Sequence, residues 1–249
     1  LEEITQSVIE AVDNASNGIM KIYNSNVVHV KDKNDGSPVT EADKESHRIL
    51  VSALEFIDKN IPILSEEGYK QKDNIDLFWL IDPLDGTKEF IKKNGEFTVN
   101  IALIEDGSPK MGIVYCPVTK VLYWNEYEGK VYKKENFTVN EIKKRTSVND
   151  NDKNLRVVVS RSHINDETNE YIEKLNEPKL ISCGSSLKFL YIADNKADIY
   201  PRFGPTMEWD TAAGQAICEH AGYQVIDLET QYPMLYNRKE LLNNWFLVK

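Results

Sequence analysis

The sequence predicts an α+β fold built in two halves, residues 1–145 and 146–249. Three observations predict it. Two amphipathic helical stretches open the chain, a series of short β-like runs follows at hairpin spacing, and from about residue 149 strands and helices alternate. Residues 2–23 set Ile4, Val8, Ile9, Val12, Ala15, Ile19 and Ile22 on one helical face. The polar stretch 31–37 contains Gly36 and reads as a loop. A second helix spans 40–58, with Ile49, Leu50, Ala53, Leu54 and Ile57 as its apolar stripe. Strand-like runs then occupy 61–64, 77–81, 97–104, 111–116, 121–124 and 130–132. The gaps between the later runs are too short for crossover helices, so antiparallel hairpins are expected. In the second half, 155–159 is a continuous apolar strand, followed by helix 166–175, strand 179–183, helix 185–195, strand 197–200 and helix 211–221. The stretch 140–154, rich in Asn, Asp, Lys and Thr, is the expected junction.

Composition narrows the function. Hydrophobic residues make up 41% and charged residues 28%, the balance of an ordinary soluble globular protein. With 12 Gly and 9 Pro in 249 residues, collagen-like and low-complexity readings are excluded. The longest apolar runs, 77–81 and 189–193, fall far short of the ~20 residues a membrane span needs. A net charge of −10 argues against a nucleic-acid coat, which needs a broad basic face. A small anionic substrate stays open if metal ions or a few Lys/Arg reverse the local charge. Cys116, Cys183 and Cys218 are odd in number and widely spaced, so neither a disulfide framework nor a zinc ribbon is expected, and reduced thiols in a cytoplasm fit best. The first residues lack a basic stretch followed by an apolar one, so no secretory signal is expected.

The densest chemical signal is Trp79-Leu80-Ile81-Asp82-Pro83-Leu84-Asp85-Gly86-Thr87-Lys88-Glu89-Phe90. A buried strand is expected to end at Asp82, because Pro83 has no N–H with which to continue a ladder. Asp85-Gly86-Thr87 then reads as a turn into a short helix. Two carboxylates at one strand end can converge on a cation, while the N–H groups that open the next helix suit an anion. That combination is a recipe for phosphoryl chemistry with Mg²⁺. Taken alone, DPxDG is equally open to a reading in which Asp82 and Asp85 merely cap a helix. Ser65-Glu66-Glu67-Gly68 also follows an apolar strand, and by itself reads as a solvated loop. Asp210 begins a small-residue helix, where it reads as an N-cap, a role compatible with binding a metal. Thr40-x-x-Asp43 reads locally as a capping box.

Together these segments resemble the lithium-sensitive, Mg²⁺-dependent phosphatase superfamily of inositol monophosphatase and fructose-1,6-bisphosphatase. Within it they resemble the 3′(2′),5′-bisphosphate nucleotidases of the bacterial CysQ type. DPLDGTKEF and Trp209-Asp210-Thr211-Ala212-Ala213-Gly214, in this order, carry the superfamily, joined by Gly36-Ser37-Pro38-Val39-Thr40-Glu41-Ala42-Asp43. The nucleotidase branch is carried by Gly95-Glu96-Phe97-Thr98-Val99-Asn100, Ser160-Arg161-Ser162-His163, Gly184-Ser185-Ser186-Leu187-Lys188-Phe189 and Pro201-Arg202-Phe203-Gly204-Pro205-Thr206.

The resemblance implies a layered α-β-α-β-α sandwich. It implies that Glu66, Asp82, Asp85, Asp210 and the Leu84 carbonyl hold two or three Mg²⁺ ions. Thr87 would orient the attacking water with Asp43 as its acidic partner, and Glu66 would share in catalysis. The scissile phosphate would lie against Glu66, Leu84, Asp85, Gly86, Thr87, Lys88 and Asp210, with base, ribose and second phosphate among His163, Ser185, Lys188 and Arg202. The physics agrees: four clustered acids repel one another without cations, and a second phosphate needs its own counter-charge. From the residues alone, Lys188 reads as a solvated helix residue and His163 as a loop histidine. The implied reaction is hydrolysis of adenosine 3′,5′-bisphosphate (PAP) to AMP and phosphate, in sulfur metabolism. An inositol- or sugar-phosphate phosphatase is the nearest rival, and a catalytically silent nucleotide sensor a rival of another class. GxxxxGK[ST], HExxH, GxSxG and GxGxxG are all missing, and the sequons at Asn14 and Asn136 read as chance matches. The expected partner is a small nucleotide, with monomer and dimer both open. The expected place is the cytoplasm, with a peripheral position on the inner membrane face also open.

Overall fold

A computed structural model describes residues 2–25, 30–32, 38–68, 75–127, 129–143, 148–161 and 164–249. Helix α1 (Glu2–Tyr23) leads through an antiparallel ribbon, β1 (Val30–Asp32) and β2 (Pro38–Thr40), into α2 (Glu41–Ile57). A seven-stranded sheet follows in chain order: β3 (Ile63–Ser65), β4 (Leu77–Asp85), β5 (Thr98–Glu105), β6 (Ser108–Cys116), β7 (Val121–Asn125), β8 (Val131–Glu135) and β9 (Thr138–Glu141). The short helix α3 (Thr87–Ile91) interrupts it between β4 and β5. β3 and β4 run parallel and every later pair is antiparallel, as the short gaps require. The rest of the chain alternates through β10 (Arg156–Ser160), α4 (Asp166–Glu173), β11 (Lys179–Cys183), α5 (Leu187–Ala193), β12 (Tyr200–Arg202) and α6 (Glu208–His220), and closes with β13 (Val225–Asp227) and β14 (Phe246–Val248). β10 and β11 pair in parallel, and β14 lies between β12 and β13.

Side-chain alternation explains the layering. β4 reads as an unbroken apolar run because both its faces are covered. Trp79 and Ile81 pack with Val8 and Val12 of α1 and Leu50 and Leu54 of α2. Phe78 and Leu80 pack with Phe189 of α5 and Ala213 and Ile217 of α6. Beyond α5 and α6, Tyr200 and Phe246 close the same core, while Val157, Val159 and Leu247 turn outward onto Tyr171 and Ile172 of α4. The result is the expected α-β-α-β-α order. One contact in it is unusually close. A Cβ at Gly112 of β6 would lie 2.3 Å from the Ala213 carbonyl oxygen, so the backbone of α6 rests directly on the strand.

Several boundaries differ from the sequence reading. Lys31 and Asp32, expected in a loop, lie in β1 because they pair with Val39 and Pro38, a short ribbon whose polar first strand shows no apolar alternation. β4 runs past Asp82 to Asp85, with the register shifting between them, so Pro83 sits in a bulge where no ladder donor is required. Ser185 has a φ of 45°, so α5 begins only at Leu187. Helix α6 starts at Glu208 rather than 211, and β12 lies at 200–202 rather than 197–200. β9, β13 and β14 were not expected; every residue of β9 is exposed, so it carries no alternation to read.

Candidate active site

The β4 bulge makes the site. In a regular strand, residues three apart point to opposite faces. Asp82 pairs with Asn100 and Asp85 with Thr98, so β4 spends one residue more than β5 across this stretch. That extra residue brings both carboxylates to one side. Asp210, in the first turn of α6, completes the group, and one ligand oxygen from each of the three lies within 4.8 Å of the others. Asp210 is therefore not the N-cap of its helix, as its local sequence suggests. Met207 takes that position, and its N–H donates back to Asp210 Oδ2 at 2.8 Å. Glu66 follows β3, which lies beside β4, and its own N–H donates to the Ile81 carbonyl at 3.2 Å.

The electrostatics are those of a site built for cations. Burial pushes the Asp82 carboxyl well above the usual range, and Glu66, Asp85 and Asp210 push it further. Asp210 is raised well above its ordinary value for the same reasons, burial first and then Asp85 and Glu66. Burial also raises Asp85, but the Ser186 bonds and the Lys188 charge hold it back. Its Oδ2 accepts from Ser186 N and Ser186 Oγ, both at 2.6 Å. All donors are oxygens, which suits a hard divalent cation, and several converging carboxylates stay ionised together only if such charge is supplied.

Asp43 serves two segments at once. Its Oδ2 accepts from Thr40 N at 2.8 Å and Thr40 Oγ1 at 2.6 Å, closing the capping box of α2. Its Oδ1 accepts from Thr87 Oγ1 at 3.0 Å. Burial raises its carboxyl against the opposing pull of these bonds. Thr87 Oγ1 also lies 3.4 Å from the Leu84 carbonyl. Thr87 opens α3 behind Gly86, whose φ of 94° lets the chain turn from bulge to helix where a side chain would meet Glu96 O and Ser185 Cβ.

A cleft of about 290 Å³ joins these groups to Ser185, Lys188 and Arg202. Lys88 stands exposed beside it. Lys188 is not the solvated residue its local sequence suggests. It is buried, its Nζ donates to the Ser185 carbonyl at 2.5 Å, and burial lowers its pKa against the opposing charge of Asp85. Arg202 Nη2 donates to the Pro205 carbonyl at 2.9 Å. Arg202 Nε and Ser185 Oγ are buried with no hydrogen-bond partner among the described residues. His163 lies outside the described residues.

The model of the inositol monophosphatase family matches residues 1–247. The chain belongs to the inositol monophosphatase family. The chain is 45% identical to the 3′(2′),5′-bisphosphate nucleotidase CysQ of Salmonella typhimurium over 247 residues, covering 98% of each. It is also 45% identical to CysQ of Escherichia coli K12, covering 97% of each. Among solved structures, CysQ from Bacteroides thetaiotaomicron superposes with a TM-score of 0.84 at 39% identity, over 100% of this chain and 97% of that one. An inositol monophosphatase of Thermotoga maritima superposes with a TM-score of 0.81 at 23% identity, over 100% of this chain and 92% of that one, a likeness of fold alone. The family is metal-dependent, and Asp82, Asp85 and Asp210 form an acidic cluster able to hold a metal ion.

Sequence reasoning passed over the residues that hold the site from behind. Ser46 Oγ donates to the Pro83 carbonyl at 2.7 Å, and His47 Nδ1 lies 2.7 Å from Ser65 Oγ, so one face of α2 grips both the bulge and the Glu66 turn. Their i, i+3, i+4 spacing from Asp43 was the available signal. Asn100 donates to Ser186 Oγ at 2.8 Å, a contact between distant segments that only the fold creates.

Proposed function

We propose that this chain is a Mg²⁺-dependent phosphomonoesterase that hydrolyses PAP to AMP and phosphate. One observation carries the reading: the cleft lined by Glu66, Asp85 and Asp210 also holds two cations, Lys188 and Arg202, set beside the carboxylate cluster. Two or three Mg²⁺ ions would be held by Glu66, Asp82, Asp85, Asp210 and the Leu84 carbonyl. When bound, such ions neutralise the phosphate and acidify water. The protein's own part is positioning and proton handling. Thr87 Oγ1, its proton directed at Asp43 Oδ1, offers its lone pairs to the attacking water. Asp43, made more basic by burial, holds the proton passed along that bond. The N–H groups of Gly86 and of Thr87 and Lys88, which open α3, have no acceptor within the helix and would be available to phosphate oxygens.

The second phosphate goes to Lys188 and Arg202, with Ser185 Oγ and Arg202 Nε, which have no partner among the described residues, completed by the nucleotide. His163 belongs to the same subsite in this reading. The nucleotidases named above support it, and the buried, unpaired Cys116, Cys183 and Cys218 accord with work in a reducing cytoplasm.

A panel of phosphomonoesters assayed side by side tests it, with PAP expected to give the highest kcat/KM. A charge-assisted contact contributes about 1.5–3 kcal/mol, so Lys188→Ala should lower kcat/KM for PAP by about 10- to 150-fold. Adenosine 3′-monophosphate and inositol 1-phosphate have no second phosphate and should change little. A wild-type preference for inositol 1-phosphate, or equal slowing of all substrates by Lys188→Ala, would transfer the assignment to a general sugar-phosphate phosphatase.

A further inference from the structure

Glu96 lies just ahead of β5 and Arg161 just after β10, and neither lines the cleft. Their side chains meet in a two-pronged ion pair, Arg161 Nε to Glu96 Oε2 at 2.7 Å and Nη2 to Oε1 at 2.6 Å. Arg161 is itself fixed on β11, its Nη2 donating to the Ser182 carbonyl at 2.7 Å and its N–H to the Cys183 carbonyl at 3.2 Å. Glu96 has a third bond, because Gly184 N donates to Oε2 at 2.9 Å. The carboxylate therefore grips the backbone of the turn 184–186.

That turn does several jobs at once. Ser186 N and Oγ hold Asp85 Oδ2, the Ser185 carbonyl holds Lys188 Nζ, and Ser186 Oγ also lies 2.9 Å from the Asp210 carbonyl. Ser185 meets these demands at a φ of 45°, a left-handed conformation that costs a residue with a side chain. Such a conformation persists only where its surroundings over-determine it. Burial works against the charge on Glu96, but its bonds to Arg161 and Gly184 keep its carboxyl below the ordinary value, so the grip is ionised throughout the working range. With the two side chains 22% and 44% exposed, the pair adds little to global stability. Its two parallel bonds instead fix a direction.

We propose that Glu96 is a positioning residue: clamped by Arg161, it sets the 184–186 turn against Asp85, and so governs both the metal affinity of the cluster and the reach of Lys188 toward the second phosphate. The second half of this inference rests on the proposed function, and the first does not.

Calorimetric titration of substrate-free protein with Mg²⁺ tests it directly. Removing a side chain that directly supports a metal ligand typically costs about 10- to 100-fold in affinity. Glu96 acts one bond further out, so Glu96→Ala should weaken Mg²⁺ binding by about 3- to 10-fold. Its Tm should fall by no more than about 4 °C. At saturating Mg²⁺, the KM for PAP should rise at least ~3-fold relative to that for adenosine 3′-monophosphate. Glu96→Gln keeps an acceptor for Gly184 N and should recover part of both effects. Arg161→Ala removes an exposed side chain, should shift both readouts in the same direction by less, and replaces Glu96→Ala should that variant not fold. A Mg²⁺ affinity within twofold of wild type in folded Glu96→Ala overturns the inference, as does an equal loss in the Gln and Ala variants. A wild type that ignores PAP would overturn the proposed function and leave the Mg²⁺ comparison standing.

Discussion

Asp82 and Asp227 are each 1% exposed, yet the fold treats them in opposite ways. Asp227 accepts from Arg238 Nη2 at 2.6 Å, from Asn244 Nδ2 at 3.0 and 3.2 Å, and from the N–H groups of Glu229 and Thr230 at 2.9 and 3.2 Å. Burial opposes its charge, but these bonds prevail and hold its carboxyl below the ordinary value. Asp82 accepts from Leu84 N at 3.0 Å and otherwise confronts Glu66, Asp85 and Asp210. Burial alone thus says nothing about the purpose of a carboxylate. What separates a structural acid from one awaiting a cation is whether the chain itself completes its partners.

The contrast can be broken at graded cost. Removing divalent ions should have the largest effect. Excess EDTA should abolish PAP hydrolysis, Mg²⁺ should restore it, and Ca²⁺ should restore it poorly because its looser coordination misaligns the water. Activity persisting in EDTA would mean that the Asp82 group needs no cation. Next, Thr87→Ala should lower kcat by at least ~10²-fold while calorimetric Mg²⁺ affinity moves little. Wild-type turnover in that variant would remove the hydroxyl from the chemistry.

The third test sets the two aspartates against each other. Asp227→Asn leaves Arg238 without its counter-charge and should destabilise by about 3 kcal/mol, lowering Tm by about 6–12 °C with or without metal. Asp82→Asn relieves repulsion and should raise the metal-free Tm by a few degrees, about 1 kcal/mol, while weakening Mg²⁺ binding. If both variants lose metal-free stability alike, the distinction fails. Glu219 lies between these extremes, and its effect emerges only as pH rises. Burial raises its carboxyl to about 7 against a single opposing bond from Gln215, made at 3.1 Å. The fold prefers its protonated form, so its contribution is complete below the unfolded value of about 4.5 and is lost as pH rises toward 7. Glu219→Gln should therefore gain on wild type across that window, by about 1–2 kcal/mol in thermal melts. A difference independent of pH would mean that Glu219 stays charged when folded.

Much of the fold was legible, for identifiable reasons. Helices α1 and α2 and the covered strands β4 to β7 carry dense apolar patterning, and the Thr40–Asp43 cap marks where α2 begins. β9 and the ribbon β1–β2 carry no such pattern, being three- and four-residue strands held by neighbouring strands rather than by an apolar face turned to the core. In the cleft, the acids announced themselves by type and context, whereas their supports did not. Ser46, His47, Asn100 and Ser186 act through contacts across 18 to 101 residues of chain, which no local window contains. Pro83 misled because strand rules forbid it in a ladder but permit it in a bulge, and the bulge was the feature that mattered.

Gly112 has a consequence for how this protein can change over time. Because β6 carries no side chain there, α6 sits on main chain, and its height above the sheet at Ala213, one turn from Asp210, is set by the thickness of two backbones. Side chains in a core can trade volume with their neighbours, and homologous cores drift in this way at little cost. Backbone thickness cannot be traded. The apolar layers above and below are thus free to vary while the spacing of the carboxylates holds, as a gauge block keeps its dimension whatever machine is built around it.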